Sequence, residues 1–267
     1  MRHRALILLL SGAGLALAQT PSVNPGGVVN SASLANGQPV TVGSLVAIFG
    51  SNFASKLTKA DSIPLSNSLG GVSVQFVNGN SKLSAPMLFA DSGQLNVQIP
   101  WELVPGGANA NVNVIVTSNG VPSAPQQVAV AAFSPGVYSS GGRGIVVSNT
   151  DGSLAWPAGS AHTLVTHPAK PGDKLFLYAS GLGQVTSPPA DGHNSLDKRR
   201  DTLVKPIVML GGITANVLFS GLSPSFVGVY QVNFQVPENA PTGDSVPIQI
   251  QLGGITTSAN ITMAITQ

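Results

Sequence analysis

Cysteine is absent from the chain, so disulfide staples play no part in holding it together. Charge is scarce too. Asp, Glu, Lys and Arg make up 8% of the residues, against roughly 25% in ordinary soluble proteins. So few charges cannot furnish long amphipathic helices with charged outer faces. Aromatic residues are sparse, at 5%. After the N-terminus, no stretch is apolar for the roughly 20 residues that a membrane span needs.

The N-terminal run sets the expected compartment. Arg2 and Arg4 precede "ALILLLSGAGLALA", and Ala16-Leu17-Ala18 is a small-x-small cleavage site before Gln19. This is the layout of a secretory signal over residues 1–18. The uninterrupted apolar part is shorter than a span, and Gly12 and Gly14 dilute it, which argues against an anchor. The net charge of +2 leaves with Arg2 and Arg4, so the exported chain is neutral. A nucleic-acid binder needs a surplus of cations against the phosphates, and that class is excluded.

What abounds is Gly (31), Pro (20) and the small β-formers. That composition suits short strands joined by tight turns, as in a β-sandwich. About 249 residues remain after the signal, enough for two cores of roughly 100–120 residues each.

The chain is written twice. "GQLNVQIP" (93–100) returns as "YQVNFQVP" (230–237), each a Gln-apolar-Asn-apolar-Gln-apolar-Pro phrase. "PVTVGSLVAIFGSNFA" (39–54) aligns with "PAKPGDKLFLYASGLG" (168–183), and "LGGVSVQF" (69–76) with "LGGITANVLF" (210–219). Three matches in one order indicate a tandem duplication with too long a period for a solenoid. Within each copy, apolar residues alternate with polar ones between Gly-Gly or Asn-Gly turns, as in Val112-x-Val114-x-Val116 before Asn119-Gly120. About seven short strands per copy is an immunoglobulin-type count. The expected organisation is a signal (1–18), a first sandwich (19–134), and a second sandwich (135–267) with an N-terminal hairpin turning at Asn149–Gly152. In the repeated phrase, Leu95, Val97 and Ile99 form the inward row. Gln94, Asn96 and Gln98 form the opposite row, read as part of the module's build.

These motifs carry a resemblance. Each copy resembles the IPT/TIG immunoglobulin-like module: P-x-x-x-G-[S/D] before an apolar strand, Gly-Gly before V-x-V or I-T-A, and an apolar-Pro ending. The whole text, through "GGVVNSASL", "SLGGVSVQF", "GQLNVQIPWEL", "KPGDKLFLYASGLG" and "GLSPSFVGVYQVNFQVP", resembles the uncharacterised C-terminal domain family of Solibacter and other acidobacteria over nearly all of 27–265. The resemblance implies an exported all-β protein, with no established activity or catalytic residue set.

Catalytic constellations are not assembled in the text. Ser180-Gly181-Leu182-Gly183 lacks the Gly two residues before the Ser that a nucleophile elbow needs. His162, His167 and His193 have no partner at a recognisable spacing. Glu102 and Glu238 fall at equivalent places in separate copies, unsuited to the paired carboxylates of glycoside hydrolysis. "NTDGS" (149–153) lacks the ligand spacing of a calcium loop, and an Asx turn accounts for it. No cofactor or metal is expected.

Five residues remain as candidate contacts. Trp101 and Trp156 could form an aromatic platform for sugars if exposed, and otherwise cap a core or the seam between copies. His193, Arg199 and Arg200 fall in "DGHNSLDKRRD" (191–201), inside a long loop that reads as solvated or as a partner-contact surface. Its dibasic Arg199-Arg200 is the expected point of proteolysis. The expected function is a secreted, non-catalytic interaction or adhesion protein of the bacterial cell exterior, with an extracellular protein or glycan as partner. A carbohydrate-binding module is the alternative, and a secreted hydrolase comes third.

Overall fold

The computed structural model describes residues 19–267, and the expected signal, 1–18, lies outside the described residues. The chain is all-β, with fifteen strands of three or more residues among those described. The first sandwich contains β1 (Ser22–Asn30), β2 (Leu45–Ser51), β3 (Val72–Asn78), β4 (Ser81–Ser84), β5 (Met87–Ala90), β6 (Gln94–Gln98), β7 (Ala110–Ser118) and β8 (Gln126–Val130). One sheet runs β1-β2-β6-β5, and the facing sheet runs β8-β7-β3-β4. In chain order this is the A-B-E-D and G-F-C arrangement of immunoglobulin domains.

The second sandwich repeats the plan with β9 (Val146–Ser148), β10 (Lys174–Ser180), β11 (Ile207–Leu210), β12 (Ile213–Leu222), β13 (Tyr230–Gln235), β14 (Gly243–Leu252) and β15 (Thr262–Ile265). Here β9-β10-β13-β12 face β11-β14-β15. Strand β12 pairs with β11 through Ile213–Ala215 and then with β13, so it turns the corner between the sheets. In the first copy Ala85 and Pro86 interrupt the same path, separating β4 from β5. A proline cannot supply the N–H a continuous ladder needs.

Period-2 alternation decides burial. Val72, Val74 and Phe76 point into the first core and meet Val112, Val114 and Val116, while Ile248, Ile250 and Leu252 do the same in the second. Asn119-Gly120, Gly211-Gly212 and Gly253-Gly254 each close a two-residue hairpin with both central residues at positive φ, the geometry that matches strand twist.

One alignment of the two copies changes. "LGG" at 69–71 opens β3, whereas "LGG" at 210–212 closes β11. The turn equivalent to Gly211-Gly212 is the one joining Asn78 to Ser81. A shared bulge confirms this register: Met87/Phe89 skip Leu88 opposite Val97/Asn96, and Val217/Phe219 skip Leu218 opposite Phe234/Asn233. Gly-Gly text records a turn type, not a place in the fold.

The sandwiches are bonded through a polar seam. Leu45 N–H donates to Gly228 O (3.3 Å), Ser180 Oγ to Leu45 O (3.2 Å), Gly181 N–H to Ser44 Oγ (3.1 Å), and Ser134 N–H to Gly181 O (2.9 Å). Trp101, just beyond β6 of the first copy, is 4% exposed and belongs to the second copy's core cluster. Its ring lies against Gly43, where any Cβ would overlap it, and Gly43 also needs its φ of 73°. Replacing Trp101 by Ala is expected to cost about 3–5 kcal/mol. In a denaturation series followed by domain-resolved hydrogen exchange, the second sandwich should lose protection, although the substitution lies in the first copy's chain.

Candidate functional site

The two tryptophans do not form a platform. Trp101 fills the seam, and Trp156 is 7% exposed with its indole Nε1–H donating to Gly144 O at 2.7 Å. Both rings are structural, and the tryptophan-based sugar site is corrected. Arg200 is buried as well (4% exposed). Its guanidinium forks onto Asp197 (2.6 and 3.0 Å), and its Nε donates to Ser187 O (2.8 Å). Backbone pairing of Asp201 with Gly221 and of Leu222 N–H with Arg200 O ties the segment to β12. The backbone at Arg199-Arg200 is therefore paired rather than loose, which argues against the expected cleavage point. His193 is exposed and stands apart. Arg199 is exposed, pairs with Asp201 at 2.7 Å, and lies 4.8 Å over the Phe219 ring.

The 184–206 loop is not a free solvated loop at one end of the sandwich. Gly192 N–H donates to Gln98 Oε1 (2.7 Å), Gly192 O accepts from Leu65 N–H (2.9 Å), and Asp191 Oδ1 accepts from Trp101 N–H (3.0 Å). Its middle straps the second sandwich onto the first.

Ser180 is a seam residue with no exposure, its hydroxyl committed to Leu45 O. A different serine does meet a histidine and a carboxylate. Ser153 Oγ donates to Asp151 Oδ1 (2.7 Å), and His167 Nε2 lies 2.8 Å from both Asp151 Oδ2 and Ser153 Oγ. His167 Nδ1 faces Pro168 O at 3.1 Å, and a carbonyl only accepts, so Nδ1 carries a proton. Facing two oxygens, Nε2 carries one as well. A general base must offer a lone pair to the serine on one nitrogen while the carboxylate holds the other. Here both partners crowd one nitrogen of an imidazolium, so the cluster is an ion-paired hairpin staple. Among the described residues no group of three or more His, Cys, Asp or Glu could hold a metal ion.

The outer face of β10 and β13 carries what the tryptophans do not. Leu175, Leu177 and Ala179 point inward, so Phe176 and Tyr178 point outward and are half-buried. Phe176 packs edge-to-face on Tyr178 (5.4 Å between centroids), and Tyr178 on Phe226 (5.5 Å), which is 50% exposed. Across the strand pair, Phe176 sits opposite Asn233 and Tyr178 opposite Gln231. Gln231 Nε2 donates to Asn233 Oδ1 at 2.8 Å, as Gln94 does to Asn96 in the first copy. The row extends past Phe226 into an interdomain groove of about 430 Å3 with Ile63 and Leu65 on its wall. Sequence reading missed this face because "KLFLYA" is apolar in both registers, the pattern of a strand buried on both sides.

No protein-family model and no curated protein matches the chain. Solved structures overlap it slightly. The plexin A4 extracellular region is 13% identical, with 99% of this chain and 20% of that one covered and a TM-score of 0.28. The Bacteroides ovatus mixed-linkage glucan utilization locus SGBP-B, in complex with a mixed-linkage heptasaccharide, is 12% identical, with 94% and 47% covered and a TM-score of 0.37. The surface glycan-binding protein PbSGBP-B of Prevotella bryantii is 13% identical, with 90% and 41% covered and a TM-score of 0.27. The chain spans a fifth to just under half of their lengths. Overlaps this slight carry no information on ligand or partner.

The Asp151 hydrogen bond raises the affinity of His167 for its proton, and His167 in turn holds Asp151 below the usual carboxylate range. The stabilisation from His167 is complete below its unfolded value of about 6.5 and fades as pH rises through its higher folded value. That from Asp151 is present above about 3.9 and is lost as pH falls through its lower folded value. In an NMR titration His167 should therefore turn over above its ordinary midpoint. Asp151→Asn should return it toward that midpoint, and an unchanged midpoint would remove the ion pair.

Proposed function

We propose that the protein is an exported, non-catalytic interaction protein of the cell exterior, contacting neutral carbohydrate through the outer face of its second sandwich. The carrying observation is the row Phe176, Tyr178 and Phe226 beside the amides of Gln231 and Asn233. Rings cover the apolar C–H face of a sugar, and amides supply both donors and acceptors for hydroxyls. Arg199, the guanidinium beside this face, is already paired with Asp201, so the chemistry suits neutral units over acidic ones. Export rests on the N-terminal signal pattern, and among the described residues no helix is long and apolar enough to cross a membrane. The non-catalytic reading is supported by the protonation pattern of the Ser153, Asp151 and His167 cluster.

Glycan arrays and retention on cell envelopes test the reading. Tyr178→Ala and Phe226→Ala should each weaken binding at least ~10-fold, the loss of about 1.4 kcal/mol expected when a central anchor ring is removed. Trp156→Phe should leave binding unchanged. Retention on envelopes stripped of polysaccharide would point instead to a protein partner. Hydrolysis of any bound glycan that His167→Ala abolishes would overturn the non-catalytic reading.

A further inference from the structure

The amides of the aromatic face have a wall on their other side. Asn233 and Gln231 stand on the middle one of three strands. On β10 they lie opposite Phe176 and Tyr178, and on β12 opposite Phe219 and Gly221. Directly paired residues send their side chains to the same side of a sheet, so Phe219 stands on the outer face with Phe176. At Gly221 a Cβ would overlap the Arg200 carbonyl, so the 184–206 strap rises over the sheet there. The residues before Arg200 continue the wall. Ser195 N–H donates to Pro224 O (3.1 Å), and the Asp197–Arg200 fork (2.6 and 3.0 Å) fixes the segment that follows. Wall and amides enclose a pocket of about 380 Å3, lined by Ser195, Leu196, Lys198, Phe219, Gln231 and Asn233 among others. Small-ligand sites begin at roughly 300 Å3.

The pocket offers hydrogen bonds that the chain itself does not use. Ser195 is 6% exposed, and its hydroxyl has no partner among the described residues, where buried polar groups ordinarily have one. Gln231 and Asn233 spend one bond on each other, Nε2 to Oδ1, which leaves the Gln231 oxygen to accept and the Asn233 nitrogen to donate. Lys198 adds an exposed ammonium at the rim. A solvated ammonium holds an anion only weakly, while sugar hydroxyls both donate and accept and so match the whole set.

We propose that β13 floors a two-walled trough for an unbranched neutral glycan chain, with Phe176, Tyr178 and Phe226 along one side and Ser195–Lys198 along the other. The inference rests on the carbohydrate reading above and adds to it the second wall and the shape of the ligand. Phe176 and Phe219 are two strand spacings apart, roughly 10 Å, which admits one chain of sugar rings lying along β13. Its C–H faces meet the rings of β10. Its hydroxyls meet Gln231, Asn233 and, with a turn about χ1, Ser195 Oγ. A branch projecting from either edge of the chain would strike a wall.

Calorimetric titration of the exported chain with linear hexasaccharides of β-glucan, β-mannan and β-xylan, their branched counterparts and an oligouronate tests the trough. A linear neutral chain should bind at least ~10-fold more tightly than its branched counterpart, and equal affinities would overturn the inference. Leu196→Trp narrows the pocket from an exposed position (69%), so its thermal midpoint should match wild type. It should weaken that binding at least ~10-fold, and Ser195→Ala about threefold. If Tyr178→Ala abolishes binding while Leu196→Trp leaves it intact, the aromatic face binds glycan alone and the second wall falls. If none of these chains binds, both readings fall together. Tighter binding of the oligouronate, lost in Lys198→Ala, would overturn the neutral assignment. In NMR spectra the Ser195 and Phe219 amide signals should shift as the linear chain is added. Signals that stay in place while that of Tyr178 moves would overturn the second wall even if Ser195→Ala fails to fold.

Discussion

Gln98 is buried with no exposure, and both ends of its amide are used. Its nitrogen donates to Gly43 O within its own sandwich (3.1 Å), and its oxygen accepts from Gly192 N–H of the other (2.7 Å). An unpaired amide in such a place costs roughly 1–3 kcal/mol, so the side chain demands both partners at once. The first demand fixes the turn that launches β2, and the second fixes the strap. Trp101, three residues on, follows from the same geometry: with the strap closed, its ring has no solvent to face and joins the second core.

This seam explains why the two modules act as one body. Gly181, at φ 77°, brings the second copy's backbone so close to Ser134 O that a Cβ would overlap the carbonyl. Gly228, at φ 67°, brings it against Gly43 and Leu45. Backbone contact at these distances leaves no room for a hinge. The aromatic face benefits, because Phe226 stands on the loop whose Gly228 carbonyl is bonded across the seam. A contact surface on a rigid frame loses less freedom on binding than one on a loop.

Much of this was legible in the sequence, and what escaped shares one cause. Strand alternation, hairpin turns and the doubled Gln-Asn-Gln phrase are local, so Leu95, Val97 and Ile99 could be placed inward and the amide row read as architecture. The structure shows Gln94 bonded to Asn96 and Gln231 to Asn233, with Gln235 reaching Gly172 O at 3.1 Å as Gln98 reaches Gly43, and Gln98 bonded across the seam as well. Contacts across the seam are not local. Asp191 and Trp101 are 90 residues apart and Gln98 and Gly192 are 94 apart, with no period to link them. The Ser153, Asp151 and His167 cluster joins residues 14–16 apart on a loop whose path no pattern states. Phe176 and Tyr178 were hidden for the opposite reason: their strand is apolar from Leu175 to Ala179, so nothing marked the outer row.

The duplication is not symmetric at the surfaces that join. Where the first copy offers Ser44 and Leu45 to the seam, the second has Asp173 and Lys174, and where the first has Trp101, the second has Glu238. The second module thus keeps the repeated fold, and the amide bond of Gln235, while carrying charge at the positions equivalent to Ser44, Leu45 and Trp101. In arrays of repeats, a polar outer face is what ends the stack. Asp173, Lys174 and Glu238 give the second sandwich a charged surface where the first has its docking surface.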